Sequence, residues 1–218
     1  MFKMQKLDFL ISLYVFCIAV SELMGGKTFP IADLGFMKLN ASIAIFTIPV
    51  IFSVNDIIAE VYGRERARSV VRSGLIVVFL IILFSLFATN LPPSQRFATK
   101  EQAYDTIFTM SIRFAASSLT AFAIAEFLDV FLFVKIREKL GKGRLWLRNN
   151  VSNIISQFVD TTVFITLAFY AFNKPLGDNV SFLVSIILPY WLLKCFMSVI
   201  ETPFVYLAVR WLKNDKNK

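Results

Sequence analysis

Asn55-Asp56-Ile57-Ile58-Ala59-Glu60-Val61-Tyr62-Gly63, followed at once by Arg64-Glu65-Arg66-Ala67-Arg68, closes an apolar run that begins near residue 41. Asp56 and Glu60 are four residues apart, so a helix carries both on one face. Behind them lies a stretch that is apolar enough for hydrocarbon, and ahead lies a basic turn. A carboxylate so close to the bilayer interior is costly, and it is tolerated where it faces a bundle interior or a hydrated cavity. This junction of apolar run, acids and basic turn is read as the end of a membrane span.

The rest of the chain agrees. Of its 218 residues, 57% are apolar and 24 are phenylalanine, and the mean hydropathy is +0.67. A soluble domain has no use for so much apolar surface, so the class is polytopic membrane protein. Six apolar runs can be drawn, at 7–24, 41–62, 70–89, 107–136, 154–172 and 180–211. Each is read as reaching or exceeding the roughly 20 residues that a helix needs to cross about 30 Å of hydrocarbon. Pro189 and Pro203 in the sixth run mark kink sites. The expectation is an all-α integral membrane protein, a single six-helix domain over 1–218. The first helix is read as retained rather than cleaved as a signal, because five further spans follow.

Charge sets the orientation. Lys3 and Lys6 precede the first run; Arg64, Arg66, Arg68 and Arg72 separate the second and third. Lys135, Arg137, Lys139, Lys142, Arg144 and Arg148 separate the fourth and fifth, and Arg210, Lys213, Lys216 and Lys218 close the chain. The opposite side holds only Lys27, Lys38, Arg96, Lys100 and Lys174. The positive-inside rule therefore predicts both termini in the cytoplasm. The net charge of +8 needs no nucleic acid partner, since the bases are dispersed over short loops that face anionic lipid.

A rise of about 1.5 Å per residue converts position into depth. Asp56, Asp129, Asp160 and Lys194, on four different helices, all come out about 9–10 Å from the cytoplasmic edge. Polar neighbours at that level are Asn55, Ser152, Asn153, Ser156, Gln157 and Thr161. Three acids against one lysine leave negative charge for a proton, a cationic substrate or a bound cation to balance. Glu22 and Arg113 are expected to pair near the outer edge. Phenylalanines 131, 133, 158, 164 and 169 are read as mainly lipid-facing, and Ser117, Ala121 and Ala125 as a stripe for close helix packing. Cys17 and Cys195 are read as small packing residues, and the absence of histidine excludes the usual zinc sites and histidine relays. No metal, cofactor or covalent catalytic motif is expected, so a carrier is favoured over an intramembrane carboxylate enzyme.

The ordered motifs Asp56-x3-Glu60-Val61-Tyr62-Gly63 with Ala67-Arg68, Arg113-x3-Ser117-Ser118, Leu128-Asp129-Val130, Leu147-Arg148-Asn149-Asn150-x-Ser152, Gln157-x2-Asp160-Thr161, Lys194 and Pro203-x2-Tyr206 are similar to the queuosine-precursor transporter family, also called vitamin uptake transporters. They cover nearly the whole chain in order. The resemblance implies a multi-pass importer of the bacterial inner membrane for 7-deazaguanine bases that feed queuosine modification of tRNA: 7-cyano-7-deazaguanine, its aminomethyl derivative or queuine. It also allows a homodimer. On this reading the substrate contacts are Asp129, Asp160, Lys194, Ser152, Gln157, Asp56 and Arg113. Asp129 and Asp160 are expected at the guanine-like edge, with Glu60, Tyr62 and Arg68 as an inner gate or anchor. The helix count also resembles the substrate-binding subunits of energy-coupling-factor vitamin importers. The first run lacks a clear Ala-x3-Ala docking motif, which favours a stand-alone carrier.

Overall fold

A computed structural model describes the backbone of residues 5–35, 38–140 and 145–216. Side chains are described for these residues except 64, 126, 129–130, 132–134, 136–140, 145–153, 197–206, 208–209 and 211–216. The described chain forms α1 (Lys6–Met24), a hairpin of β1 (Thr28–Asp33) and β2 (Lys38–Ser42), a short 3-10 turn (Ile43–Phe46), α2 (Ile48–Tyr62), α3 (Arg64–Thr89), α4 (Glu101–Leu140), α5 (Leu145–Phe169) and α6 (Leu176–Lys216). Among the described residues, five segments are long and apolar enough to cross a membrane: Lys6–Met24, Ile43–Tyr62, Glu65–Thr89, Glu101–Ala125 and Leu176–Phe196. A shorter apolar stretch, Ile154–Phe169, lies within α5.

The helices depart from the apolar runs in ways that local chemistry explains. The run from residue 41 does not start as a helix. Its first two residues finish β2, whose antiparallel partner pairs Thr28 with Ser42 and Phe29 with Ala41. Pro49 then sits in the first turn of α2, where its missing N–H costs nothing. At the other end, Gly63 takes φ 88° and ψ 162°, a conformation open only to glycine, and so separates α2 from α3. Helices α3 to α6 all extend past their apolar runs into polar sequence, and α4 reaches 40 residues. At about 1.5 Å per residue that is longer than a bilayer is thick, so α4 must tilt or protrude. Helix α6 runs through Pro189 and Pro203 as one element.

Two buried clusters hold the bundle. One joins α1, α2 and α3 through Leu10, Tyr14, Val54, Ile57, Ile58, Ala67 and Val70. The other joins β2, α5 and α6 through Ala41, Ile165, Leu183, Ile186 and Tyr190. Gly74 on α3 makes the first possible, because a Cβ there would lie 2.6 Å from Ile18 Cδ1 and 3.0 Å from Tyr14 Cε1. The hairpin was not expected from the sequence. It is latched onto α6: the Tyr190 hydroxyl donates to the Ser42 carbonyl at 2.9 Å, and the Asn40 amide donates to Ser185 Oγ at 2.9 Å. Ser42 Oγ also donates to the Gly25 carbonyl, which ties β2 back to the end of α1. The α5–α6 turn is clamped by Asn179, whose side chain accepts from Ala171 N–H and donates to the Ala171 carbonyl, each at 2.9 Å.

Candidate functional site

Between the two clusters lies a cavity with two lobes. The lobe nearer the hairpin, about 240 Å³, is lined from all six helices, with Glu22 from α1, Phe52 from α2, Gly74 from α3, Phe122 from α4, Thr161 from α5 and Tyr190 from α6. The second lobe, about 430 Å³, extends toward the α2–α3 joint and is lined by Asn55, Ala125, Ser156 and Gln157 among others. Tyr14, Phe52, Phe122, Asp160 and Lys194 line both. These sizes bracket the low end of small-molecule sites, which are mostly apolar with a few placed polar groups.

At the waist, Lys194 Nζ donates to Asp160 Oδ2 at 2.6 Å. The lysine side chain is 11% exposed and the aspartate 28%, so the pair sits in the bundle interior. Depth arithmetic brought these two to one level, and helix rotation turns them to the same cavity. Charges so placed are held by one another, since an unpaired charge in that setting is far costlier than a paired one. Around them, Glu22 Oε2, Thr161 Oγ1 and Asn55 Oδ1 are buried without a hydrogen-bond partner. Buried polar groups are rarely left so, and all three border the cavity.

The other expected site residues divide. Gln157 lines the second lobe. Asp129 and Ser152 lie outside the described side chains, as does Phe133. Asp56 is not among the residues that line the two lobes: it is exposed, as is Glu60, while its neighbour Asn55 lines the second lobe. One residue is about 100° of helix rotation, enough to put Asn55 on the lobe and Asp56 off it. Arg113 is a second correction. It does not pair with Glu22 and lines neither lobe. Its Nε donates to the Leu167 carbonyl at 2.7 Å and its Nη2 to the Tyr170 carbonyl at 2.6 Å. It thus satisfies carbonyls at the end of α5 that have no partner within the helix. Tyr62 packs on the α1–α2–α3 cluster, and Arg68 makes a surface pair with Glu65 at 2.8 Å.

Several cavity residues were not singled out by the sequence. Of the five phenylalanines read as lipid-facing, Phe164 lines the hairpin lobe, while Phe131 and Phe158 are exposed. Ala121 and Ala125 of the small-residue stripe border the two lobes in turn. Tyr190 carries no motif that would have flagged it, whereas Glu22 was expected beside Arg113 and Ser118 sits in a family motif with no role assigned to it. The signal of Tyr190 is a polar atom at mid-helix in an apolar run, which is common to many packing residues.

A family model described as "Putative vitamin uptake transporter" matches residues 42–208, more than three quarters of the chain. The chain belongs to this family. The match takes in Asp160, Tyr190 and Lys194, while α1 with Glu22 precedes it. Three curated relatives are similar to this vitamin uptake transporter family member. A Bacillus subtilis (strain 168) protein named "Probable queuosine precursor transporter" is 30% identical over 82% of this chain and 76% of its own length. The Escherichia coli (strain K12) "Queuosine precursor transporter" is 29% identical over 65% of this chain and 59% of its own length. A Haemophilus influenzae protein named "Probable queuosine precursor transporter" is 28% identical over 59% of this chain and 52% of its own length. No solved structure matches the chain. Family membership and the apolar helices make this a multi-pass inner-membrane transporter, not an enzyme.

Proposed function

We propose that this family member imports queuosine precursors, 7-deazaguanine bases, through a six-span bundle with both termini in the cytoplasm. In this reading α5 is the fifth span and completes the six, its apolar stretch Ile154–Phe169 extended by the polar residues that precede it. The basic residues at the α2–α3 joint, between α4 and α5, and at both termini support the orientation. Glu60, Tyr62 and Arg68 then anchor the joint at the cytoplasmic edge. The hairpin is the outer cover of the cavity.

The observation that carries the proposal is the Asp160–Lys194 pair at the waist of a cavity bordered by unpartnered polar atoms. A 7-deazaguanine is flat and uncharged in its ring system, with a carbonyl acceptor beside ring N–H and amino donors. Lysine serves acceptors, a carboxylate serves donors, and Gln157 serves either. Phe52, Phe122 and Phe164 supply apolar walls of the kind a planar ring packs against. Asp129 and Ser152 stay in the proposed set on the sequence reading alone, whereas Asp56 and Arg113 leave it because of where they sit. A stand-alone carrier, without an ATP-driven partner, is the form proposed. The cyano, aminomethyl and queuine forms differ at the substituent on the five-membered ring, and each fits the carrier reading.

The test is made in bacteria that cannot synthesise the base. Expression of the wild-type chain with an external 7-deazaguanine restores queuosine in tRNA. The Asp160→Asn variant, delivered to the membrane in equal amount, does not. Normal queuosine with that variant would remove Asp160 from the site.

A further inference from the structure

Among the described residues, Glu22 is the one buried acid. It is 7% exposed, lies in the last turn of α1, and keeps Oε2 buried with no hydrogen-bond partner. Ser118 faces the carboxyl from α4. The cation expected beside it, Arg113, spends its donors on the carbonyls of Leu167 and Tyr170. No ion pair among the described residues involves Glu22. Its packing role is also limited, since it borders the hairpin lobe rather than a closed core. Thr161, whose hydroxyl is likewise buried and unpartnered, borders the same lobe. Asp160, by contrast, has Oδ2 committed to Lys194 at 2.6 Å.

We infer that Glu22 reads the amino-bearing edge of the base, so that it, and not Asp160, determines specificity for a 2-amino-4-oxopyrimidine ring. This rests on the transport reading above and goes further by assigning the edge. The ring N–H and the exocyclic amino N–H of such a base are parallel donors. Their spacing matches the two oxygens of a carboxylate, which accepts them as a bidentate pair. The adjacent ring carbonyl needs a donor, and the Thr161 hydroxyl is one. A ring that lacks the 2-amino group leaves one Glu22 oxygen buried and unpaired, which is how polar sites reject analogues without the donor. The Asp160–Lys194 pair is left to hold the other end of the ligand.

The experiment is titration calorimetry on the purified full-length protein with two probes: 7-cyano-7-deazaguanine and the same base without its 2-amino group. The wild type is expected to prefer the amino-bearing base by about tenfold to a hundredfold, the range of one hydrogen bond to a charged group. In Glu22→Gln the preference falls below about threefold, because the amide offers one acceptor and sets its own N–H against a ligand donor. Glu22→Asp keeps the carboxylate and retains an intermediate preference. Asp160→Asn weakens both probes by a similar factor and leaves their ratio unchanged. A wild type without preference, or a Glu22→Gln protein with the wild-type ratio, overturns the assignment while leaving transport intact. A wild type that binds neither probe overturns the transport reading together with it. If Glu22→Gln fails to elute as a folded protein, Glu22→Asp decides, and wild-type affinities for both probes in that variant refute the inference.

Discussion

Removing either partner of the Asp160–Lys194 pair should destabilise the bundle, and removing both should cost less than the two losses added. The ammonium and carboxylate are 2.6 Å apart, with the lysine 11% and the aspartate 28% exposed. At an effective dielectric of about 20, unit charges roughly 3 Å apart attract by about 5 kcal/mol, most of it offset by desolvation. The single variants are another matter, since each leaves one charge inside without its partner, at about 3–5 kcal/mol. Asp160 keeps some solvent contact, so Lys194→Met should fall at the lower end, about 3 kcal/mol. For a chain of this size that is a drop of about 6–12 °C in melting temperature. The cycle consists of Asp160→Asn, Lys194→Met and the double variant, each melted in detergent by size-exclusion fluorescence. The account predicts a coupling of about 1–3 kcal/mol, with the double variant more stable than the sum of the singles implies. Strictly additive losses would refute the reasoning, because they would mean that neither charge is held by the other.

Three further outcomes follow from the fold. Arg113→Leu removes two charge-assisted bonds to α5 carbonyls and should cost about 2–4 kcal/mol, with Arg113→Lys restoring only part because it lacks the planar fork. Thermal melts measure the loss, and the KM for uptake should not move, since Arg113 lines neither lobe. Gly63→Ala forces a Cβ into φ 88°, ψ 162°, with no neighbour to clash, so the cost is backbone strain alone, about 1–3 kcal/mol. A melting temperature within error of wild type would show that the α2–α3 joint does not hold that conformation. Tyr190→Phe removes the donor to the Ser42 carbonyl and should cost about 1 kcal/mol. It should also speed hydrogen exchange of the amides in β2 relative to those of α5.

Helices were legible in this sequence wherever burial in lipid is the only demand, because a 20-residue apolar run has one economical structure in a bilayer. The charged waist was partly legible for the same reason: rise per residue gives depth, and Asp160 and Lys194 share a depth. Rotation about the helix axis was not legible. Asp56 lies at a similar depth yet is exposed and lines neither lobe, while Asn55 beside it lines the second. Hydrophobic periodicity normally fixes rotation, but in a membrane helix both faces are apolar and the signal is lost. The hairpin escaped for a related reason. Its last two residues, Ala41 and Ser42, run into α2 without a break in hydropathy, and what makes them strand is tertiary: the pairing with β1 and the bonds from Tyr190 and Asn40. Arg113 was misread because a buried arginine suggests a carboxylate partner. The ends of helices offer carbonyls instead, and only the structure shows which was taken.

Uptake into proteoliposomes tests the central claim most directly. Purified full-length protein is reconstituted alone, with no ATP-driven partner, and labelled 7-cyano-7-deazaguanine is supplied outside, with and without a pH gradient. The account predicts saturable uptake that unlabelled base competes away and that Asp160→Asn abolishes. Vesicles that take up no more base than protein-free ones would contradict it.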